Sequence, residues 1–279
     1  MYKVVNKIIK YNSYISRDER KNILSQITNI IQDTNYTLKN KLKHINDVLK
    51  IYKRPVNYNR QKYIFNKISS WFNNYINEKL VENSESFSML DIGGGNGYIL
   101  SKFGTKYNLS QKNLICLEND KTEFKYKYDL SNITYCFNTN ILLNNPIQFN
   151  IISCIVSLHH MTDEYILYTI IPLIKTKLQR DGLFLIKEHD AYSDDIIENI
   201  NWEHHLYHIL DKSSDINMDT YIDNYIGNYK SMDKLQKILE NNGFKLVNTF
   251  TNIFEQTDEK FNSESNKTPT KLYWQLYSL

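Results

Sequence analysis

The stretch Leu90-Asp91-Ile92-Gly93-Gly94-Gly95-Asn96-Gly97 decides how this chain is read. The 279 residues hold only eight glycines, and four of them fall within positions 93–97. A chain this poor in glycine has little use for left-handed backbone except where a tight turn or a close ligand approach requires it. Residues 87–92 form an apolar run of strand length, and 98–106 carry helical spacing. A buried strand that enters glycine-rich backbone and leaves as a helix presents N–H groups to a ligand at the helix N-terminus.

Downstream the alternation continues. Short apolar runs at 114–118, 133–137, 151–157 and 183–187 read as strands, and 120–128, 163–178, 193–211 and 231–241 read as helical. Asp181-Gly182 and Asn242-Gly243 punctuate turns. Two further strands, at 244–253 and 271–278, follow without a clear helix between them and predict an antiparallel hairpin at one sheet edge. The polar stretch 254–270 predicts an exposed loop. Strand–helix alternation of this kind means a parallel sheet with helices on both faces.

Asp91 stands two residues before the first glycine. A carboxylate there repels phosphate and suits a cationic amino-acid group, which favours an aminoacyl sulfonium nucleoside over a dinucleotide. The second strand ends Cys116-Leu117-Glu118, and Glu118 stands 25 residues after Gly93. An acid at that strand end is placed to accept hydrogen bonds from both ribose hydroxyls. The competing readings are a purely structural turn and a different nucleotide cofactor.

With these residues in place, 86–279 resembles the class I S-adenosylmethionine-dependent methyltransferases. LDIGGGNG resembles their first motif and LICLE their ribose-binding strand. Asn138-Thr139-Asn140 stands where many members carry an acid near the adenine, and Phe149-Asn150 where they carry Phe-Asp. Both acids are Asn here, and an amide still bonds a base edge. IVSLHHM resembles their fourth-strand motif. IKTKLQRDGLFLIKE resembles their helix-turn-strand segment, with Arg180-Asp181-Gly182 in place of Pro-Gly-Gly. Tyr229-Lys230-Ser231 through Asn242-Gly243-Phe244 resembles a late family segment. The resemblance implies an α/β, Rossmann-like seven-stranded, mostly parallel sheet with an antiparallel edge hairpin. It implies S-adenosyl-L-methionine as cofactor, held by Asp91, Gly93, Gly95, Asn96, Gly97, Glu118, Asn140 and Ser157.

The implied reaction is in-line methyl transfer from a sulfonium, in which alignment of donor and acceptor contributes roughly 7–11 kcal/mol. A general base matters only if the acceptor loses its proton late. Candidates lie at the carboxyl ends of the fourth and fifth strands: His160 as proton acceptor, and Glu188 and His189. The alternative for each is capping or packing. Glu188-His189-Asp190 also loosely resembles methyltransferases of large DNA viruses. His204 and His208, at i and i+4, lack a clear third ligand, so no metal is expected. Trp202, Tyr207, Tyr221, Tyr225 and Tyr229 either stack a planar substrate or form core. The loop after the fourth strand lacks the N/D-P-P-Y/F motif of amino-methylating DNA enzymes, and the full Lys-Asp-Lys-Glu tetrad of ribose 2′-O enzymes is not evident.

Residues 1–82 read as a basic helical N-terminal extension ahead of a methyltransferase domain at 83–279. Ser16-Arg17-Asp18-Glu19 has capping-box form before Ile23, Leu24, Ile27, Ile30 and Ile31. A second helix carries Leu38, Leu42, Ile45, Val48, Leu49 and Tyr52 and stops at Pro55. A third carries Tyr63, Ile64, Ile68, Trp71, Phe72 and Tyr75. The net charge is +3, but residues 1–80 hold 16 Lys+Arg against 5 Asp+Glu, and the remainder is net negative. A basic face over 39–67, with interleaved tyrosines, suits RNA. Alternatively it packs against acidic residues of the same chain.

Apolar residues at 41% and aromatics at 13% exclude a disordered chain and a collagen-like repeat. No apolar run reaches membrane-spanning length, and MYKVVNKIIKYN lacks a secretory apolar core. Cys116, Cys136 and Cys154 read as buried thiols of an intracellular, cytoplasmic protein (host cytoplasm or virion if the source is viral). The 35 Asn residues reflect in part an AT-rich coding bias. The expected function is methyl transfer to RNA, cap-related RNA included. Small-molecule or protein methylation and a non-catalytic methyltransferase-like subunit are the alternatives. Asp91 before the glycines disfavours a nucleotide-dependent oxidoreductase.

Overall fold

The structure is a computed structural model, and it describes residues 5–6, 9, 15–52, 59–82, 87–119, 132–210, 218–250 and 272–279. The expected helix at 120–128 and loop at 254–270 lie outside the described residues. The described strands are β1 (Met89–Ile92), β2 (Leu114–Leu117), β3 (Thr134–Cys136), β4 (Phe149–Ile155), β5 (Leu178–His189), β6 (Lys245–Phe250) and β7 (Leu272–Ser278). They form one seven-stranded sheet in the order β3-β2-β1-β4-β5-β7-β6. Pairings from β3 through β5 are parallel, and β7 is antiparallel to both β5 and β6. The sheet is Rossmann-like, as expected, and its antiparallel strands are at the expected edge. The last strand is nevertheless internal. Tyr273, Trp274, Leu276 and Tyr277 of β7 are buried, whereas Lys245, Val247 and Asn248 of β6 are exposed, so the more polar strand takes the edge.

The strand β5 is longer than its apolar run. Arg180-Asp181-Gly182, read as a turn, lies inside it: Phe149 pairs with Leu178, and Ile151 pairs with Leu183. The extra residues bulge from the ladder. The helix expected at 163–178 is a composite of Asp163–Tyr165, a π-helical turn Ile166–Ile170 and Ile171–Lys177. Pro172, near the start of the last segment, cannot donate to a preceding carbonyl.

The chain separates into two compact units. One comprises Met1–Asn57, Ala191–Gly227 and Ser263–Lys271; the other comprises Tyr58–Asp190, Asn228–Asn262 and Leu272–Leu279. This division differs from the boundary expected at residue 82, and the apolar stripes give the reason. In the first unit, α1 (Arg17–Gln32) and α2 (Leu38–Leu49) bury Ile23, Ile27, Leu42 and Ile45 against Trp202, Leu206 and Ile209 of the helix Asp194–Leu210. The capping box at Ser16 and Glu19 forms as predicted. In the second unit, α3 (Asn59–Glu82) places Ile64, Ile68 and Phe72 with Met89, Ile151, Leu185 and Trp274 on one sheet face. The opposite face carries Leu90, Ile152 and Phe184 with Ile174, Leu235 and Leu239. Alternation along each strand divides the two cores. No helix among the described residues is long and apolar enough to cross a membrane.

Candidate active site

At the carboxyl end of β1, Gly93 N–H donates to Leu117 O at 2.7 Å, so the turn is tied to β2. Gly93, Gly95 and Gly97 adopt φ of +65°, +54° and +68°. A Cβ on Gly93 would collide with Ser157 Oγ, and one on Gly97 with Ile133 and the Tyr135 hydroxyl. The backbone here runs too close to its neighbours for any side chain. Asn96 Oδ1 accepts from Tyr98 N and from Gln61 Nε2, each at 3.2 Å, and Tyr135 OH donates to Asn96 O at 2.7 Å. These bonds hold the loop at the start of the helix Tyr98–Tyr107.

Asp91 is 1% exposed. Ser153 Oγ donates to Asp91 Oδ1 at 2.7 Å. Burial pushes the Asp91 carboxyl up to about 7, the Ser153 hydrogen bond opposes that rise, and the nearby Glu118 charge adds to it. Glu118 Oε2 accepts from Gly95 N–H at 3.0 Å. Thus Asp91, the glycines, Asn96, Glu118 and Ser157 gather where β1, β2 and β4 end. Asn140 follows β3, whose last residue Cys136 accepts from Glu118 N at 3.0 Å; it lies on the exposed first turn of the short helix Thr139–Asn144, with its N–H bound by Asn138 Oδ1 at 2.8 Å.

A second polar cluster lies where β4 and β5 end. Val156 takes φ +54°, a left-handed conformation that is costly for a β-branched residue, and its N–H donates to Lys187 O at 2.7 Å. Ser157 N and Leu158 N donate to Glu188 Oε1 at 2.9 and 2.8 Å, and His159 Nδ1 lies 2.7 Å from Glu188 Oε2. Burial raises the Glu188 carboxyl, but His159, His189 and the Leu158 N–H outweigh it and hold the group at about 2. His159 stacks on Tyr229 with centroids 4.8 Å apart. Of the three predicted catalytic residues, Glu188 and His189 are buried, and His160 is exposed beside His159. Of the residues gathered here, Ser153 is the one that sequence reasoning passed over. Ser153 does carry a signal: it is the lone hydroxyl in the buried run Ile151–Cys154, although its partner is not visible there.

The first unit has its own cavity of about 460 Å³, lined by Ile31, Lys41, Asn201, Trp202, His205 and Tyr225 among others. Burial pushes His205 down to about 4, with the His208 charge adding to the effect, and its Nδ1 lies 2.9 Å from Tyr221 OH. Of the predicted aromatics, Trp202 and Tyr225 line this cavity, and Tyr229 lies under His159. The basic helix face is partly occupied. Lys39 and Lys43 reach Asp219 at 3.1 and 2.7 Å, and Lys41 Nζ donates to Ile31 O at 2.6 Å.

No family model matches the chain, and no curated protein does. Among solved structures it is similar to a SAM-dependent methyltransferase from Archaeoglobus fulgidus, at 14% identity over 77% of this chain and 94% of the other, with a TM-score of 0.49. It is similar to a S-adenosylmethionine-dependent methyltransferase from Mesorhizobium loti, at 14% identity over 69% and 92%, with a TM-score of 0.44. It is also similar to the mycolic acid cyclopropane synthase CmaA1 complexed with SAH and CTAB, at 13% identity over 70% and 78%, with a TM-score of 0.46.

Proposed function

We propose that the chain is an S-adenosylmethionine-dependent methyltransferase. The observation that carries this reading is the pairing of a buried Asp91 with Glu118 on either side of a glycine turn that no side chain fits. Bound there, the cofactor would supply an activated methyl group on a sulfonium. Asp91 offers negative charge to its amino-acid end. Glu118 has acceptor capacity for ribose hydroxyls beside the Gly95 N–H, since a carboxylate offers roughly four acceptor sites. The glycine backbone permits close approach, and rigid placement of the two reactants supplies most of the acceleration. Calorimetry tests this directly. The wild-type chain should bind S-adenosylmethionine, and Asp91→Ala and Glu118→Ala should each weaken it by roughly 10–100-fold. Unchanged affinity overturns the assignment.

The acceptor is the finer question. The charge excess of residues 1–80 supports RNA, cap-related RNA included. The partners of Lys39, Lys41 and Lys43 draw part of that face into the fold. That loss of free basic charge favours a small-molecule acceptor, and the cavity of the first unit lined by Trp202 and Tyr225 is a ligand-sized space in its own right. Tritiated methyl transfer into fractionated RNA, protein and small-molecule pools separates these readings. Label in the small-molecule pool supports the favoured one, and label confined to RNA overturns it.

A further inference from the structure

Asp91 and Ser153 are register partners across β1 and β4, so their side chains rise from the same sheet face as neighbours. Both are almost wholly buried. The hydroxyl of Ser153 donates to Asp91 Oδ1 at 2.7 Å, a well-formed O–H···O hydrogen bond. The charged group that acts on Asp91 is Glu118, after β2, and it opposes ionisation. The neighbouring Cys116 and Cys154 thiols are themselves pushed up by burial and by Asp91, and neither favours the carboxylate. Burial opposes ionisation as well. Ser153 is the neighbour that supports it.

We propose that Ser153 is a positioning residue for cofactor capture: its hydroxyl keeps Asp91 an oriented, ionised carboxylate facing the cationic amino-acid end of the cofactor. This rests on the methyltransferase reading above. An apolar residue at 153 would leave Asp91 protonated over a wider pH range, and the buried acid would then offer no negative charge. With Asp91 held at about 7 in the wild type, the effect falls around neutral pH.

The test compares S-adenosylmethionine affinity of Ser153→Ala and wild type from about pH 6 to pH 9. The ratio of the two Kd values cancels the cofactor's own titration. It should be roughly tenfold at the acid end and approach one at the alkaline end. Ser153→Thr, which keeps the hydroxyl, should hold the ratio near one throughout. A purely structural role predicts a ratio independent of pH, and that result, or no difference at the acid end, overturns the proposal. A carbon NMR titration of the Asp91 carboxyl in the ligand-free chain gives a second readout. Its midpoint should rise in Ser153→Ala, and an unchanged midpoint overturns the proposal whatever the cofactor does. A wild-type chain that binds no cofactor, with a shifted midpoint in the variant, overturns the methyltransferase reading and leaves the Ser153–Asp91 coupling standing.

Discussion

Gly93 concentrates three demands on one residue: left-handed φ, a bond from its N–H to β2, and closeness to Ser157 Oγ. Left-handed backbone costs an ordinary residue about 1–2 kcal/mol, and the collision adds to it. Gly93→Ala should therefore lower stability by about 2 kcal/mol or more in urea unfolding and should abolish cofactor binding. Wild-type stability in that variant contradicts the description of the turn. Most of this residue chemistry was legible in the sequence, because glycine clusters and a flanking acid speak through local geometry. Ser153 was not legible as a partner of Asp91, since 62 residues separate them and only strand register brings them together.

At the scale of elements, Glu188 joins two strand ends. It sits at the end of β5 and binds the backbone N–H groups of Ser157 and Leu158 and the ring of His159, all after β4. Its depressed ionisation means that it contributes stability fully present above its ordinary value of 4.5 and lost as pH falls towards about 2. Glu188→Gln replaces a buried charged acceptor by a neutral one and should cost about 1–3 kcal/mol at neutral pH. The variant should also lose less stability than wild type on acidification below pH 4.5, which parallel denaturant titrations can read. Equal stability at pH 7 would show that the clamp contributes nothing. The strand cores at β1, β2 and β4 were legible from apolar runs. The bulge in β5 was not, because Asp-Gly signals a change of backbone direction equally well at a turn and within a ladder. The short helix Thr139–Asn144 was missed because six residues carry too little periodicity to register.

For the molecule as a whole, the decisive feature is which apolar stripes find one another. The helix after β5 shares its core with the N-terminal helices, and α3 shares one with the sheet. The ion pairs of Lys39 and Lys43 with Asp219 are solvent-exposed, so screening by water leaves them little weight in stability. They matter more for the charge they withdraw from the surface. Among the described residues of the first unit, His205 is an acid-sensitive group. Its value is lowered from 6.5 to about 4, so the stability it contributes is present above 6.5 and is lost as pH falls through about 4. Hydrogen exchange along Asp194–Leu210 should quicken over that interval in wild type, and His205→Phe should flatten the dependence. An identical pH dependence in the variant would place the acid sensitivity elsewhere.

By itself, the sequence determined an α/β chain whose first strand ends in a glycine turn flanked by Asp91 and followed by Glu118. Those features follow from periodicity, backbone sterics and the charge of adjacent residues, all of which act over a few positions. Tertiary structure alone decided that Ser153 supports Asp91, that Glu188 is held by the Ser157 and Leu158 N–H groups and the His159 ring, and that the helix Asp194–Leu210 shares a core with the first helices. Each of these depends on strand register or on a choice among apolar faces. A periodic pattern shows that a face will be buried, and only the folded chain shows what covers it.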